Sequence, residues 1–449
     1  MADKPIVNLG ILGLGVVGQG VLKHLNRNRK LLESRLGVRL KVSKIAVRNK
    51  RLKRGIKVNP RIMTEDAFEV VNDPSIQIVC ELIGGTKLAK QLTLQALKNG
   101  KSVVTANKAL LCEHGNQIIR TAKKSKGHIF FEASVAGGIP IIKSIREGLV
   151  ANRFPQIRGI LNGTCNYILT RMQAEGKSFG EILAEAKSLG YAEADESLDV
   201  DGIDAAHKAG ILAYLAHGRW IPMKQMLIDG IRDVSTSDMV LADSMGYRIK
   251  HLASIECDSK RNQLFVGAYP ALVPKAHILG RVDDVYNAVC VSGDVVGTTV
   301  HIGRGAGQDA TASAVIGDIA DAVFASQGTK LMNLIDEEND PLASSMEPLQ
   351  IAKMEDVSSC FYLRLTVIDQ PGVLSKLTAV MAKRKISIAR VTQVLDSDVG
   401  SKNNQESATL TLTTHECSES AIAHAVRALK RMKPVLSNPF LLRIVEFND

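Results

Sequence analysis

The sequence predicts an α/β protein that combines a doubly wound parallel sheet with a second α/β layer and a C-terminal βαββαβ module. Three observations lead to this prediction. Strands and helices alternate from the N-terminus, a glycine-rich turn at residues 13–18 joins the first strand to the first helix, and a tail after residue 358 alternates anew. Alternation of strands with helices is typical of parallel sheets that helices cover on both faces.

The composition is that of a globular protein, and its 449 residues, 45% hydrophobic and 23% charged, favour about three domains. The seven cysteines include no CxxC pair, which is typical of a reducing compartment and argues against a disulfide framework or a zinc site. The first residues lack the apolar region of a signal peptide, and no apolar run reaches the ~18 residues of a membrane span. We therefore expect a cytoplasmic protein without a membrane partner.

The net charge of +11 raises the question of a nucleic-acid partner. The basic residues are spread along the chain apart from a cluster between Lys41 and Arg61, and aromatic residues make up only 4%. Few side chains could therefore stack on bases, which argues against nucleic acid. A phosphorylated small molecule explains a local basic cluster equally well.

Residues 6–12 form an apolar run of strand length, and the sequence after residue 18 predicts a helix. In the GxGxxG turn between them, Gly13 would permit the tight turn, Gly15 the approach of a pyrophosphate, and Gly18 the packing of helix on strand. The candidate cofactor contacts are Gly13, Leu14, Gly15, Val16, Val17 and Gly18. A purely structural turn is the alternative, but the strand–turn–helix context favours a dinucleotide at the helix N-terminus.

The strand predicted at residues 40–47 ends in Arg48. A site that prefers NAD would place Asp or Glu near this point to bind the ribose hydroxyls, whereas an arginine suits the 2′-phosphate of NADP. We therefore expect NADP as the preferred cofactor over NAD, with Lys50 or Lys57 as further phosphate partners. A basic loop that does not contact the cofactor is the alternative.

The further elements of this half are predicted at residues 75–83, 87–99, 101–104 and 128–131. They predict a Rossmann-type sheet, which binds ligands at the carboxyl ends of its strands. Gly85, Thr86 and Lys108 lie at such ends and are candidate cofactor contacts. Lys108 could also reach a substrate, or serve only the solubility of the surface.

The second half of the chain begins with a glycine-containing loop at residues 132–140. Its carbonyl groups, together with Glu132, could bind a hard monovalent cation, although turn formation alone explains the glycines. The strands predicted beyond the loop are at residues 156–163, 247–256, 263–268, 288–292 and 298–302, which indicate an α/β layer and not a second Rossmann unit. A further glycine-rich turn at residues 303–307 opens a helix that could meet the cofactor or follow a plain strand-to-helix turn.

A segment rich in Asp and Glu precedes a helix on which Asp204 and Lys208 share one face, because they are four residues apart. Asp201 is the predicted N-cap of this helix. A lysine beside carboxylates can exchange a proton with an alcohol, and carboxylates such as Glu193 and Asp199 can bind an amine. The alternative is an ordinary surface ion pair.

The tail follows a polar segment that predicts a linker, and its strands and helices have the order βαββαβ. Such a module leaves a sheet edge that favours pairing with another copy. The predicted domains are residues 1–135 for the nucleotide, 136–335 for the substrate, 336–358 as linker and 359–449 as the tail module, with the helix at 307–326 returning to the first domain.

Several motifs occur in the order typical of one enzyme family. They are GLGVVG at 13–18, TANK at 105–108, EASVAGGIP at 132–140, NGT at 162–164, GYAEAD at 190–195, DVDGIDAAHK at 199–208 and GRGAG at 303–307. On these motifs the chain resembles homoserine dehydrogenases of the long bacterial type over essentially its whole length. The tail, with DQPGVL at 369–374, is similar to an ACT domain, a module that binds amino-acid effectors.

The resemblance implies the reversible reduction of L-aspartate 4-semialdehyde to L-homoserine with NAD(P)H, a step towards threonine, methionine and isoleucine. It implies that Lys208 gives a proton to the carbonyl oxygen. Glu193 and Asp204 match carboxylates near the substrate, with Asp199 in support. The other implied contacts are Lys108 beside the nicotinamide and the reacting hydroxyl, Gly307 at the cofactor, and Glu132 with the main-chain oxygens of Val135, Gly137 and Ile139 at a sodium ion.

The resemblance further implies inhibition by L-threonine through the tail, and assembly into a homodimer through residues 136–335 or into a homotetramer. Two other functions stay open. A semialdehyde dehydrogenase would need an activated cysteine, for which Cys165 is the best of a poor set. A non-enzymatic nucleotide- and amino-acid-sensing regulator would not need the proton donor Lys208, so the intact motif around this lysine argues for an enzyme.

Overall fold

The computed structural model describes residues 4–192, 195–328, 349–395 and 407–447. The N-terminal part is a sheet covered by helices, with the elements β1 (Ile6–Leu12), α1 (Val16–Arg27), α2 (Arg29–Leu36), β2 (Arg39–Ala46), β3 (Met63–Thr64), α3 (Phe68–Asn72), β4 (Ile78–Glu81), α4 (Lys87–Lys98), β5 (Ser102–Thr105), α5 (Lys108–Lys124) and β6 (Ile129–Phe130). Its six strands are parallel, in the order β3-β2-β1-β4-β5-β6. This is the strand order of a Rossmann sheet, so the predicted doubly wound fold is confirmed.

The central strands of this sheet are apolar because helices cover both of its faces. β4 and β5 are buried along their whole length. α1 begins at Val16, directly after the glycine turn, and therefore three residues earlier than the sequence suggested. The N-terminus of α1 thus lies at the carboxyl end of β1, where a doubly wound sheet binds its ligand.

The second part is an antiparallel sheet with helices packed against it. Its elements are α6 (Ile141–Lys143), β7 (Gln156–Ile160), α7 (Gly163–Glu175), α8 (Phe179–Ser188), α9 (Ser197–Val200), α10 (Ile203–His217), β8 (Leu227–Ile228), α11 (Thr236–Ser244), β9 (Tyr247–Asp258), β10 (Gln263–Pro274), β11 (Tyr286–Gly293), β12 (Gly297–Arg304) and α12 (Gln308–Ser326). The main strands run in the order β12-β11-β7-β9-β10. The sequence predicted that this layer is not a second Rossmann unit, and the antiparallel strand order agrees with that prediction.

Helix α12 leaves the second sheet and packs on the first. Ala312, Val315 and Ile319 of α12 share a hydrophobic core with residues of β1 and α1. The helices α1 and α12 approach closely because Gly20 has no side chain: a Cβ there would lie 2.8 Å from Cγ of Gln308. The glycine turn before α12 is thereby brought beside the glycine turn before α1.

The tail has the predicted βαββαβ order. Its elements, preceded by β13 (Gln350–Ile351), are β14 (Ser358–Ile368), α13 (Val373–Ala382), β15 (Ile388–Leu395), β16 (Ser407–Thr414), β17 (Cys417–Ser418), α14 (Glu419–Lys430) and β18 (Phe440–Ile444). The sheet order is β18-β14-β16-β15, and β18 also pairs in parallel with β10, Ala271 opposite Arg443. One edge of the tail sheet, expected to pair with another copy, is therefore occupied by this chain's own β10.

Non-covalent contacts hold the described parts of the chain together. All seven cysteines are free thiols. Among the residues that the structure describes, no helix is both long and apolar enough to cross a membrane.

Candidate active site

The three glycines of the first turn have three different surroundings. Gly13 has a φ of 95°, and a Cβ there would lie 2.6 Å from the carbonyl oxygen of Leu82. A Cβ on Gly18 would lie 2.3 Å from the carbonyl oxygen of Gly13, so only glycine allows this turn to close. A Cβ on Gly15 would meet nothing within 4 Å. The turn is therefore closed at Gly13 and Gly18 and open at Gly15, as a dinucleotide site requires.

The N-terminus of α1 is available to an anion. Gly15 is its N-cap, and no side chain accepts from the N–H groups of its first turn. Such uncapped N–H groups and the helix dipole bind phosphate. The second glycine turn lies alongside, because Nε2 of Gln308 donates to the carbonyl oxygen of Val16 at 3.1 Å. Gly307, with a φ of 113°, directly precedes this glutamine. These residues fit a dinucleotide cofactor.

The ends of β4 and β5 are tied together by Asn107, a residue that sequence reasoning missed. Its Nδ2 donates to the carbonyl oxygen of Gly85 at 2.7 Å, and its Oδ1 accepts from the N–H of Leu110 and caps α5. Lys108 is the first residue of α5, and Thr86 precedes the first residue of α4. A lysine at a helix N-terminus opposes the helix dipole, which favours a functional reason for its position.

Asp204 lies between two lysines. Its Oδ2 accepts from Nζ of Lys208 at 2.7 Å, and its Oδ1 lies 3.1 Å from Nζ of Lys108. Nζ of Lys208 also donates to the carbonyl oxygen of Leu161 at 2.6 Å. Asp204 and Lys208 are only 6% and 8% exposed. The alternative of an ordinary surface ion pair is therefore wrong, because this pair is buried.

Asn162 joins Asp204 to Asp199. Its Nδ2 donates to Oδ1 of Asp199 at 2.7 Å and to Oδ2 of Asp204 at 2.9 Å, while its Oδ1 accepts from the N–H of Cys165 and caps α7. Sequence reasoning did not select this residue. The signal was present, since an asparagine before a predicted helix stood within the NGT motif.

The charges of this cluster depend on one another. Burial raises the pKa of Asp204, but the positive charges of Lys208 and Lys108 outweigh it and hold the pKa well below its usual value. Burial and the negative charge of Asp204 raise the pKa of Asp199 above its usual value. Burial also lowers the pKa of His207. Asp204 is thus held in its ionised form, whereas Asp199 takes up a proton more readily than an ordinary aspartate.

The thiol of Cys165 is not activated. It is fully buried, and Sγ contacts the carbonyl oxygen of Asp199 at 3.2 Å. Burial, followed by the negative charges of Asp199 and Asp204, raises the pKa of this thiol well above its usual value. A nucleophilic cysteine requires a lowered pKa, so the acyl-enzyme alternative loses its best candidate.

One cavity of about 370 Å³ connects the glycine turn to the acidic cluster. Its lining residues are Val17, Leu82, Gly84, Gly85, Ala106, Asn107, Lys108, Ala109, Asp195, Leu198, Asp199, Asp204 and His207. Lys208 does not line the cavity. Its ammonium group contacts Asp204, which does. Lys108, by contrast, lines the cavity directly.

The acidic segment contains two residues for which the sequence predicted a role, Asp201 and Glu193. The prediction that Asp201 caps α10 is wrong: Gly202, with a φ of 85°, is the N-cap, and only glycine adopts this conformation easily. Oδ1 of Asp201 accepts instead from Nε of Arg232 at 2.6 Å. The candidate substrate residue Glu193 lies outside the described residues.

Arg48 is exposed just beyond the carboxyl end of β2, and the two other basic candidates, Lys50 and Lys57, are exposed as well. The main-chain N–H of Lys50 donates to Oε1 of Glu65 at 2.9 Å. These three side chains do not line the cavity of about 370 Å³. Of the three, Arg48 follows β2 most closely, and the end of this strand is where a Rossmann fold binds the ribose of the cofactor.

The loop at residues 132–140 presents one carboxylate and several carbonyl groups. Glu132 is 8% exposed, and its two carboxylate oxygens accept from the N–H groups of Ile142 and Lys143. Burial raises the pKa of Glu132, which these N–H groups partly offset. Carboxylate oxygens keep further acceptor capacity, and hard oxygens suit a cation such as sodium. No cluster of three or more His, Cys, Asp or Glu residues suited to a metal occurs in the described ranges.

The tail contains a second cavity of about 360 Å³, at the turn between β14 and α13. It is lined by the segment 367–374 together with Leu377, Gln393 and Leu410. Nε2 of Gln393 donates to Oδ1 of Asp369 at 3.0 Å across the turn. Gly372, with a φ of 83°, opens α13 without a side-chain cap, so the first turn of this helix can meet an anion.

Three family models match successive parts of the chain. They are a homoserine dehydrogenase NAD-binding domain at residues 13–132, homoserine dehydrogenase at residues 140–320 and an ACT domain at residues 361–433. A homoserine dehydrogenase of Pseudomonas aeruginosa is 41% identical over 448 residues, which cover 99% of this chain and 100% of the relative.

Solved structures give the same result. The crystal structure of a homoserine dehydrogenase from Thiobacillus denitrificans superposes with a TM-score of 0.87 at 37% identity, covering 99% of both chains. A hyperthermophilic archaeal homoserine dehydrogenase in complex with NADPH has a TM-score of 0.61 at 26% identity, covering 73% of this chain and 100% of the other. The chain therefore belongs to the homoserine dehydrogenase family of NAD(P)-binding oxidoreductases and carries a C-terminal ACT domain.

Proposed function

We propose that the protein reversibly reduces L-aspartate 4-semialdehyde to L-homoserine with NAD(P)H, as a step towards threonine, methionine and isoleucine. The observation that carries this proposal is the single cavity that connects Val17 and Gly85 with Lys108, Asp199 and Asp204. A cofactor on the glycine turn would share this cavity with a substrate at the acidic cluster. Hydride transfer requires this proximity, because the reacting atoms must lie in contact.

The proton needed by the reaction comes from the lysines around Asp204. When bound, the nicotinamide supplies the hydride, and the carbonyl oxygen of the substrate then takes a proton from an ammonium group. We assign the donor role to Lys208, which uses two of its three N–H groups for Leu161 and Asp204. Lys108 lines the cavity and would bind the same oxygen, which stabilises the developing negative charge.

The substrate carries an ammonium group, and the site offers carboxylates for it. Asp199 lines the cavity, and Asp204 lies beside it between the two lysines. We assign the ammonium group to Asp199 and Glu193. Because Asp204 already balances two cations, it serves mainly to orient them.

We propose NADP as the preferred cofactor, with the 2′-phosphate near Arg48. The exposed guanidinium group beyond β2 supports this assignment, as does the archaeal relative that was solved in complex with NADPH. The turn of residues 13–18 would bind the pyrophosphate, and Gly85, Thr86 and Gly307 would contact the rest of the dinucleotide. A sodium ion would lie at Glu132 and the carbonyl groups of Val135, Gly137 and Ile139, where it would hold the loop between the two sheets.

The tail would bind L-threonine as an inhibitor in the cavity beside Asp369. The size of this cavity and the uncapped first turn of α13 support an amino acid there. We propose a homodimer through residues 136–335, or a tetramer when the tails pair as well. The corresponding domains are residues 1–135, 136–335, 336–358 and 359–449, with α12 completing the core of the first domain.

The test is the initial rate of NADP and NAD reduction with L-homoserine, in the presence and absence of L-threonine. We expect homoserine-dependent reduction that is faster with NADP and lower with threonine. Reduction without an effect of threonine would contradict the role of the tail alone. No turnover with either cofactor would contradict the enzyme and favour a sensor that binds nucleotide and amino acid.

A further inference from the structure

One asparagine makes contact with both carboxylates of the acidic cluster. Asn162 follows β7 and is 3% exposed. Its two amide hydrogens are used on Asp199 and Asp204, at 2.7 and 2.9 Å, and its carbonyl oxygen accepts from the N–H of Cys165. Every strong hydrogen-bonding group of this side chain is therefore fixed by the structure.

The position of Asn162 also controls the lysine. The preceding residue, Leu161, accepts from Nζ of Lys208 through its carbonyl oxygen at 2.6 Å. Oδ2 of Asp204 accepts from both Nζ of Lys208 and Nδ2 of Asn162. Two successive residues directly after β7 thus bind this site: Leu161 binds the lysine through a main-chain oxygen, and Asn162 binds the carboxylate through a side-chain amide.

A neutral donor is needed because negative charges meet here. Asp199 faces the carboxylate of Asp204 and the ammonium groups of Lys208 and Lys108, and its main-chain oxygen meets Sγ of Cys165. Burial, followed by the repulsion between the two carboxylates, raises the pKa of Asp199, and the hydrogen bond from the amide of Asn162 lowers it. An amide can do so without titrating and without competing with the substrate ammonium for charge.

We propose that Asn162 is a positioning residue for the reaction, which holds Asp199 towards the substrate ammonium and Asp204 between the two lysines. This role rests on the proposed function and goes beyond it, because it selects a residue that does not itself react. It acts through hydrogen bonds to charged groups, which contribute more than those between neutral groups.

The test uses Asn162→Ser, because serine is also a good N-cap. This variant keeps an acceptor for the N–H of Cys165 and removes both amide donors. We expect kcat/KM for L-aspartate 4-semialdehyde to fall about 10- to 100-fold, with KM for the semialdehyde raised and KM for NADPH unchanged. The acid limb of kcat/KM, measured between about pH 5 and pH 8, should move to higher pH because Asp199 binds its proton more tightly.

Asn166→Ser is the matched control. Asn166 lies on α7, the helix that Asn162 caps, and is fully buried, and its Nδ2 donates to the carbonyl oxygens of Val282 and Tyr286, away from the carboxylates. Its substitution should lower the melting temperature and leave the acid limb in place. A purely structural role for Asn162 would make the two variants behave alike.

The outcomes separate the two proposals. If the wild type turns over and Asn162→Ser retains kcat/KM within about twofold with an unmoved acid limb, the positioning role is overturned and the proposed function stands. An equal rise in KM for NADPH would also overturn it, since the effect would not be specific to the acidic cluster. Absence of wild-type turnover would overturn the proposed function and this role with it.

Discussion

Asp204 occupies an unusual position for a carboxylate, buried and in contact with two ammonium groups. Removal of one partner from a buried ion pair is normally costly, because it leaves an unpaired charge. Here each lysine protects the carboxylate when the other is removed, and Asn162 donates a further hydrogen bond. Substitution of either lysine should therefore disturb the chemistry more than the fold.

Lys208→Ala should lower kcat by at least about 100-fold, because general acid catalysis contributes on this scale. Lys108 and Asn162 continue to satisfy Asp204, so the variant should fold and bind NADPH with unchanged affinity. Stopped-flow or steady-state kinetics and a cofactor titration by fluorescence measure both quantities. Lys108→Ala is the comparison: near-normal turnover in Lys208→Ala with a large loss in Lys108→Ala would transfer the donor role to Lys108.

The sequence predicts contacts within one element more readily than contacts between elements. The spacing of Asp204 and Lys208 placed both on one helical face, which the structure confirms. The contacts of Asp204 with Lys108 and Asn162 were not predictable in this way, because they join residues far apart in the chain and depend on how β5, β7 and α10 pack. Periodicity describes one element at a time.

Among the elements, the glycine turn before α1 allows a contrast between binding and folding. Gly15 has an ordinary φ of −76° and open space at its Cβ position, so Gly15→Ala should leave the melting temperature within about 1 °C of the wild type. The added methyl group would lie where the pyrophosphate approaches, and KM for NADP should rise about tenfold or more.

Gly18→Ala is the matched variant at this turn. Its Cβ would lie 2.3 Å from the carbonyl oxygen of Gly13, so the turn must shift and the protein should lose about 1–3 kcal/mol of stability. Thermal denaturation and cofactor kinetics on both variants make the comparison. A Gly15→Ala enzyme with unchanged KM for NADP would contradict pyrophosphate binding at this turn.

Helix α10 carries Asp204 and Lys208 in its first half and ends at the partly buried His217. Nε2 of His217 is buried without a hydrogen-bond partner among the described residues. Burial lowers the pKa of His217 from 6.5 to about 4. Below about pH 6.5 this histidine therefore binds a proton in the unfolded chain. In the folded protein it stays neutral until the pH falls to about 4. Stability from this group is complete above pH 6.5 and is lost as pH falls towards 4.

His217→Gln should remove this acid sensitivity. At about pH 5.5 the wild type should have lost about 1 kcal/mol of unfolding free energy relative to pH 7.5, and the variant correspondingly less. Chemical denaturation of both proteins at the two pH values measures the difference. His114→Gln is a suitable control, since His114 lies on α5 and its Nε2 is 3.7 Å from Oε2 of Glu113. If the free energy of unfolding depends on pH equally in the wild type and in His217→Gln, burial of neutral His217 does not cause the loss of stability in acid.

The elements themselves were largely visible in the sequence, but their ends were not. The start of α10 was placed at Asp201, whereas the chain needs the left-handed conformation of Gly202 to turn into the helix. α5 was not assigned from the sequence, although Asn107 caps it. Caps depend on a local hydrogen bond that competes with tertiary contacts, such as that between Asp201 and Arg232.

In the whole molecule, one continuous sheet joins the tail to the catalytic part. Polar contacts of the buried Arg443 accompany this junction. Nε of Arg443 on β18 donates to Oε1 of Glu419 at 2.6 Å, and its Nη1 donates to Oδ2 of Asp229 at 2.9 Å. A Cβ on Gly202 would lie 2.9 Å from the carbonyl oxygen of Asp229, so the main chain of Asp229 lies against the start of α10. The sequence predicted a tail module that follows a linker, and it did not predict this junction. The pairing of β18 with β10 joins two strands that lie far apart in the sequence.

This junction predicts a path by which an effector in the tail alters turnover. Asp229→Asn removes the charge that joins Arg443 to the start of α10, while Arg443 keeps Glu419 as its partner. Because the side chain of Asp229 is 48% exposed, the loss of stability should stay below about 1 kcal/mol. We expect uninhibited kcat to be preserved and the threonine concentration for half-maximal inhibition to rise several-fold, with threonine binding measured calorimetrically unchanged. Asp243→Asn is the control, since Asp243 pairs with Arg248 and Lys275 and has no ion-pair partner among the described residues of the tail. Inhibition that is as strong in Asp229→Asn as in the control would place the coupling elsewhere, because linkage requires that the effector change the contacts of the element it controls.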